Sequence, residues 1–272
     1  MLTMNSLREA LFEIPASIIA IAFFILIVML HWVGHFLRRR VTIVDPGRDV
    51  EMGSVEAALL GLMALLLAFS FSMAATKFES RRQTIIDEAN ILNTAILRCD
   101  LYPDSVKQIW LSDYKKYLES RIDYFEVGDD KVRIKAALDN AEKQHQIIWN
   151  RAVLQSSDVE NRLRSEQMIQ ILIGLRNMMT TREAGRMAGV PALIILVLLA
   201  LVFVGSFLTG FGVKPGKRSN LLSLCFALMT SIVLYLVMEL SRPRRGFVNL
   251  NSAEEKLVDL RKYFPKSNQQ DF

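Results

Sequence analysis

The sequence predicts an all-α integral membrane protein with four transmembrane helices and a long, helical, soluble insert between the second and third. Three observations predict it. About half of the 272 residues are hydrophobic (51%) while 22% are charged, the mixture expected when membrane spans are joined to a soluble part. Four apolar stretches are each long enough to cross a hydrocarbon core at about 1.5 Å per helical residue. Between the second and third stretches, apolar residues recur at helical spacing, with no strand alternation, internal repeat or low-complexity tract.

The first span covers residues 14–36, "IPASIIAIAFFILIVMLHWVGHF". Ile18 to Leu30 carries no charge, Trp32 sits where an interface aromatic belongs, and Arg38 to Arg40 stop the segment. Arg8 is balanced by Glu9 and Glu13, and no small-residue cleavage site precedes Arg38, so the segment reads as a retained span rather than a signal peptide. The second span is residues 55–76, with Glu56 at its entry. The third is 190–211, with Pro191 in the first turn, where its missing N–H is harmless. The fourth is 221–238, closed by Glu239 and the "SRPRRG" stretch from Ser241. A polar tail, 241–272, holds a short amphipathic helix at Glu254–Phe264, suited to dock on the insert or a neighbouring subunit.

Residues 77–188 form the insert. A Pro-Asp-Ser entry at Pro103 starts a helix with Val106, Ile109, Trp110, Tyr114, Tyr117, Leu118 and Phe125 at helical spacing. "VGDD" at Val127–Asp130 is a turn. A second helix from Lys131 to Gln155 carries Val132, Ile134, Leu138, Ile147, Ile148 and Trp149. Ser157, three residues before Glu160, reads as a capping box. The next helix carries Met168, Ile171, Leu172, Leu175, Met178 and Met179.

Four spans put both termini and the insert on one side. That side offers Arg8, Lys77, Arg81, Arg82, Arg182, Arg186, Arg242, Arg244 and Arg245. The short connectors opposite offer Arg38, Arg39, Arg40, Arg48, Lys214, Lys217 and Arg218, so charge alone does not orient the chain. The net charge of +5 fits basic residues meeting anionic lipid and calls for no nucleic acid. Cys99 and Cys225, in a helix and a span, read as packing residues rather than a disulfide.

The second helix is the most informative element. No Gly or Pro occurs between Leu62 and Tyr102, which allows roughly 60 Å of unbroken helix, about twice a bilayer core. One row contains Phe69, Met73, Thr76, Ser80, Gln83, Asp87, Asn90 and Thr94, apolar at first and then polar. The opposite row, Phe71, Phe78, Ile85 and Leu92, flanked by Ala75, Ala89 and Ile96, stays apolar throughout. The seam predicts packing against other helices in both lipid and water. The polar row fits an amphipathic helix facing bulk solvent, or a pore-lining helix in which Phe69 and Met73 constrict the path and Thr76 to Thr94 line a vestibule. Periodicity does not choose between these.

The stretch "AFSFSMAATKFESRRQ" resembles the second span of bacterial bestrophins at Ala68, Phe69, Lys77, Phe78 and Arg82. "DEANILNTAILR" at Asp87–Arg98, "REAGRMAGVP" at Arg182–Pro191 and "LSRPRRG" at Leu240–Gly246 resemble a bacterial membrane-protein family described as bestrophin-like, over nearly the whole chain. Bestrophins are pentameric ion channels. The resemblance implies an inner-membrane protein with termini and insert in the cytoplasm, a self-associating, five-fold assembly, and an apolar neck at Leu62, Leu66, Phe69 and Met73. It also implies a vestibule lined by Thr76, Ser80, Gln83, Asp87, Asn90 and Thr94. Two departures are visible. Asp129 and Asp130 are too few to form the acidic calcium site of eukaryotic bestrophins. The pore row holds Asp87 and no basic residue, which favours inorganic cations over anions.

Other motifs read blandly. His31 and His35, spaced i, i+4, could present two metal ligands, but no Cys, Asp or Glu lies beside them, and they read as interface histidines. Glu239 reads as pairing with Arg242 at the headgroups, with an ion-binding carboxylate as the sharper reading. Arg242, Arg244 and Arg245 are candidates for lipid phosphate, with Pro243 ending the helix. Ser206 and Gly210 form a small-xxx-small pair suited to close helix packing. No nucleophile elbow, P-loop, dinucleotide fingerprint or zinc-protease motif occurs, so no catalytic residue, cofactor or metal is expected. The function expected is a homo-oligomeric channel. The alternatives are a non-conducting scaffold or sensor whose insert binds a partner protein, and a proton-channel subunit of the flagellar-stator type, for which Thr209 and Thr230 are the available hydroxyls.

Overall fold

A computed structural model describes residues 14–44, 53–128, 130–187, 190–213, 220–242 and 248–264. In chain order the helices are α1 (Ala16–Val44), α2 (Gly53–Arg98), α3 (Asp104–Glu126), α4 (Lys131–Ser156), α5 (Arg162–Met187), α6 (Ala192–Gly212), α7 (Asn220–Ser241) and α8 (Asn251–Val258). Short 3₁₀ turns follow α2 and α8, and no described residue is in a strand. Among the described residues, four stretches are long and apolar enough to cross a membrane: Ala16–Val41, Gly53–Leu101, Leu193–Gly212 and Ser223–Ser241.

The chain divides into two compact units. One comprises Met1–Phe78, Gly189–Arg242 and Gly246–Val248; the other comprises Glu79–Ala188, Pro243–Arg245 and Asn249–Phe272. The division falls inside α2, which passes from one unit to the other as a single 46-residue helix.

In the membrane unit α1 packs against α6 and α7. A side chain at Gly34 would overlap the Phe207 carbonyl, and one at Gly210 would overlap the His31 carbonyl. Only glycine allows that approach, the usual way to gain packing between helices in lipid. Ser206, one turn before Gly210, is fully buried and donates its hydroxyl to the Val202 carbonyl at 2.6 Å. Ile27, Met63, Leu67, Leu198, Val202, Ala227 and Leu234 form the main core, and Ala74, Val190 and Val237 form a smaller one.

The second unit, the one expected to be soluble, is built on aromatic residues. Trp110, Tyr114, Tyr117 and Leu118 of α3 are fully buried, as are Ile148 of α4 and Met168, Leu172 and Leu175 of α5, and the Tyr114 hydroxyl lies 3.1 Å from the Met168 sulfur. Each such fully buried Leu contributes about 1.5–3 kcal/mol relative to an exposed one. The Trp110 indole N–H donates to Gln155 Oε1 at 3.2 Å, so its polar edge is satisfied. Ile109, Val132 and Ile147 are exposed rather than buried, because each helix covers a narrower stripe than its apolar content would allow. At the α3–α4 turn, Gly128 takes a positive φ of 65°, a conformation that favours glycine. Asp130 then caps α4, accepting from the Val132 and Arg133 amides at 2.9 and 3.1 Å. Asp129 lies outside the described residues. The capping box expected at Ser157 is replaced. Asp158 accepts from the Glu160 amide at 3.1 Å and from Asn161 Nδ2 at 2.6 Å, and α5 begins at Arg162.

The buried stripe of α2 runs through Met63, Leu67, Ser70 and Ala74, then Arg81, Ile85, Glu88, Leu92 and Ala95, and continues to Cys99 in the following 3₁₀ turn. Ile85, Ala89, Leu92 and Ile96 of the expected seam are buried, but Phe71 is exposed and Phe78 only half-buried. In the membrane half the small residues face inward. Ser70 satisfies its hydroxyl on the Leu66 carbonyl at 2.7 Å, and the bulky Phe71 turns outward, where lipid solvates it as well as protein would.

Candidate functional site

The row of α2 opposite the buried stripe is open along its length. Leu62 and Phe69 are 46% and 58% exposed. Leu66 and Met73 are partly covered by the two membrane cores. Thr76, Ser80, Gln83, Asn90 and Thr94 are exposed and Asp87 is half-buried. Leu66, Phe69, Met73 and Thr76 come together with Ile194 of α6 around an open groove of about 430 Å³, with Lys77 at its edge.

The hydroxyls of this row are oriented by their own helix. Thr76 donates to the Ser72 carbonyl and Thr94 to the Asn90 carbonyl, both at 2.9 Å. With their protons spent on the backbone, these oxygens present lone pairs outward. Gln83 Nε2 donates to Asp87 Oδ1 at 2.9 Å and fixes that carboxylate on the row. The polar section is therefore rich in acceptors.

The next residue, Glu88, points the other way. It is fully buried and held by two guanidinium groups. Arg121 of α3 donates through Nε to Oε1 and through Nη2 to Oε2 at 3.1 Å, and Arg182 of α5 donates to Oε2 at 2.9 Å. Arg182 also donates to Glu254 Oε1 of α8 at 2.8 Å. Both guanidiniums lie over the Tyr124 ring, at 5.0 and 5.2 Å. Burial pushes the Arg121 pKa down, but adjacent Glu88 outweighs it and raises the value above that of a free arginine. The cluster is two cations and two anions, paired bidentately where Arg121 meets Glu88.

Residues 21–254 match the family model for the bestrophin-like domain. The chain belongs to the bestrophin-like family. A crystal structure of a bacterial bestrophin homologue from Klebsiella pneumoniae superposes with a TM-score of 0.69 at 14% identity, over 90% of this chain and 99% of that one. A single-site variant of a bestrophin homologue from the same organism gives 0.68 at 13%, over 88% and 98%. A variant described as a membrane protein gives 0.63 at 14%, over 90% and 99%. At such identities the likeness concerns the fold. No curated protein matches the sequence.

The other residues singled out in this bestrophin-like chain are engaged internally. Both ring nitrogens of His31 meet hydroxyls: Nδ1 lies 3.3 Å from Thr209 Oγ1 and Nε2 lies 2.8 Å from Ser223 Oγ. Thr209 donates its own proton to the Ser206 carbonyl at 2.9 Å. The tautomer that satisfies all three groups carries the proton on Nδ1 and accepts from Ser223 at Nε2. Glu239 is buried. Arg242 is 4% exposed and donates Nη1 to the Ile14 carbonyl at 2.5 Å. Arg244 and Arg245 lie outside the described residues.

The sequence singled out Arg182 only as a flanking base and motif residue and Glu254 only as the start of the tail helix; Glu88, Arg121 and the cluster itself were not singled out. A signal existed. Glu88 falls between Ile85 and Leu92 on the apolar seam, and Arg121 falls one turn after Tyr117 and Leu118. A charge on an apolar stripe demands a partner of opposite sign.

Proposed function

We propose that this bestrophin-like protein is a subunit of a homo-oligomeric ion channel whose pore is lined by α2. The observation that carries the reading is the outward row of α2. The chain's own helices leave most of it exposed and Leu66, Met73 and Asp87 partly covered; it is apolar at Leu62, Leu66, Phe69 and Met73, and acceptor-rich from Thr76 to Thr94. In a ring with this row innermost, the apolar residues form a neck that gates by dewetting, and the hydroxyl oxygens and Asp87 carboxylates line a vestibule favouring cations. The proposed assembly is a five-fold ring in the inner membrane with termini and insert cytoplasmic, as the resemblance to bestrophins implies.

The purified protein reconstituted in planar bilayers should pass cation current. Phe69→Ala and Met73→Ala should raise it, and Asp87→Asn should lower the preference for cations. A purified oligomer that is silent, and stays silent in both neck variants, would sink the channel reading.

A further inference from the structure

Arg182 links the C-terminal segment to α2. Arg182 holds Glu88 of α2 with one terminal nitrogen and Glu254 of α8 with the other, and all three side chains are at most 8% exposed. With Arg121, the four charges cancel. Without Glu254, two buried guanidiniums would share one carboxylate, and a buried charge lacking its counter-charge is strongly unfavourable. The segment is also seated by Ala253, Leu257, Leu260 and Phe264, all buried. A second clamp is different in kind: Arg261 forks onto Glu119 of α3 at 3.0 and 2.6 Å, in partly exposed positions and without touching α2.

We propose that residues 249–264 act as a charge-matched latch on α2. Docked, the segment neutralises Arg182 through Glu254 and so fixes Glu88 and the turns of α2 around it. Undocked, it leaves an unbalanced cation inside the unit and loosens those turns. The segment is thus a control element for the section of α2 bearing Asp87 and Asn90, and not only a cover for α3.

Hydrogen exchange of the full-length protein in detergent tests this, and its readout does not depend on whether the protein conducts. Glu254→Gln should speed exchange of amides in 80–98 and in 249–264 by about tenfold or more. Arg261→Ala should speed exchange in the tail alone. The pair Arg182→Gln with Glu254→Gln leaves Glu88 and Arg121 balanced, so it should return 80–98 to near wild-type protection while the tail stays loose. If Glu254→Gln loosens the tail but leaves 80–98 unchanged, the latch is refuted. It is equally refuted if the double variant leaves 80–98 as open as the single one. Should Glu254→Gln fail to fold, a folded double variant supports charge matching and failure of both overturns it.

Discussion

In the membrane unit helices approach closely where side chains are missing, at Gly34 and Gly210. In the soluble unit the corresponding centre is a cluster of charges, Glu88, Arg121, Arg182 and Glu254. Each solution suits its solvent. Lipid offers no hydrophobic drive between helices, so contact area and shared hydrogen bonds must hold them, and His31 supplies the latter between α1, α6 and α7. In water the aromatic core of α3, α4 and α5 already drives association. The ion pairs add a requirement of register, since they fit only when four elements meet correctly, and that is a hypothesis about specificity rather than net stability.

The largest test of this contrast is Arg121→Ala, which leaves Glu88 buried with one partner fewer. It should destabilise the soluble unit by about 3–5 kcal/mol, read as a lower thermal midpoint with earlier exposure of Trp110. A smaller effect would mean that water enters readily. Gly210→Leu should cost about 1–3 kcal/mol or more through overpacking against the His31 backbone, read as lost thermal stability in detergent. No change would show that α1 and α6 can part freely.

The third test is pH. His145 is buried, with Nε2 on the Leu172 carbonyl at 2.8 Å, and burial holds its pKa below the ordinary value of 6.5. A lowered pKa means that the unfolded chain takes up the proton first. The soluble unit should therefore keep full stability above about pH 6.5 and lose it as pH falls, by at most about 1.4 kcal/mol per pH unit. His145→Gln should flatten that slope, and an unchanged slope would shift the cause to another group. The smallest effect is expected from His31→Leu, about 1 kcal/mol for two hydrogen bonds in the membrane, measured by thermal melting in detergent.

Much of the architecture was legible because apolar length and helical spacing follow directly from the solvent each segment meets. The path of α2 was legible because nothing in its sequence interrupts a helix. Its inward face in the membrane was harder to read. In lipid a large apolar residue gains nothing by burial, so Phe71 misled, and the interior went to Ser70 and Ala74. The charge cluster was hidden for another reason. Glu88 is separated from Arg182 by most of the insert and from Glu254 by two further spans, and only the tertiary fold reveals which charges meet.

The unbroken course of α2 has a mechanical consequence. From Leu62 onward the helix contains no Gly or Pro at which to bend, so a force on it is not absorbed locally. That uninterrupted part, residues 62–98, is a lever about 55 Å long, and a tilt of only about 5° displaces one end by about 5 Å relative to the other.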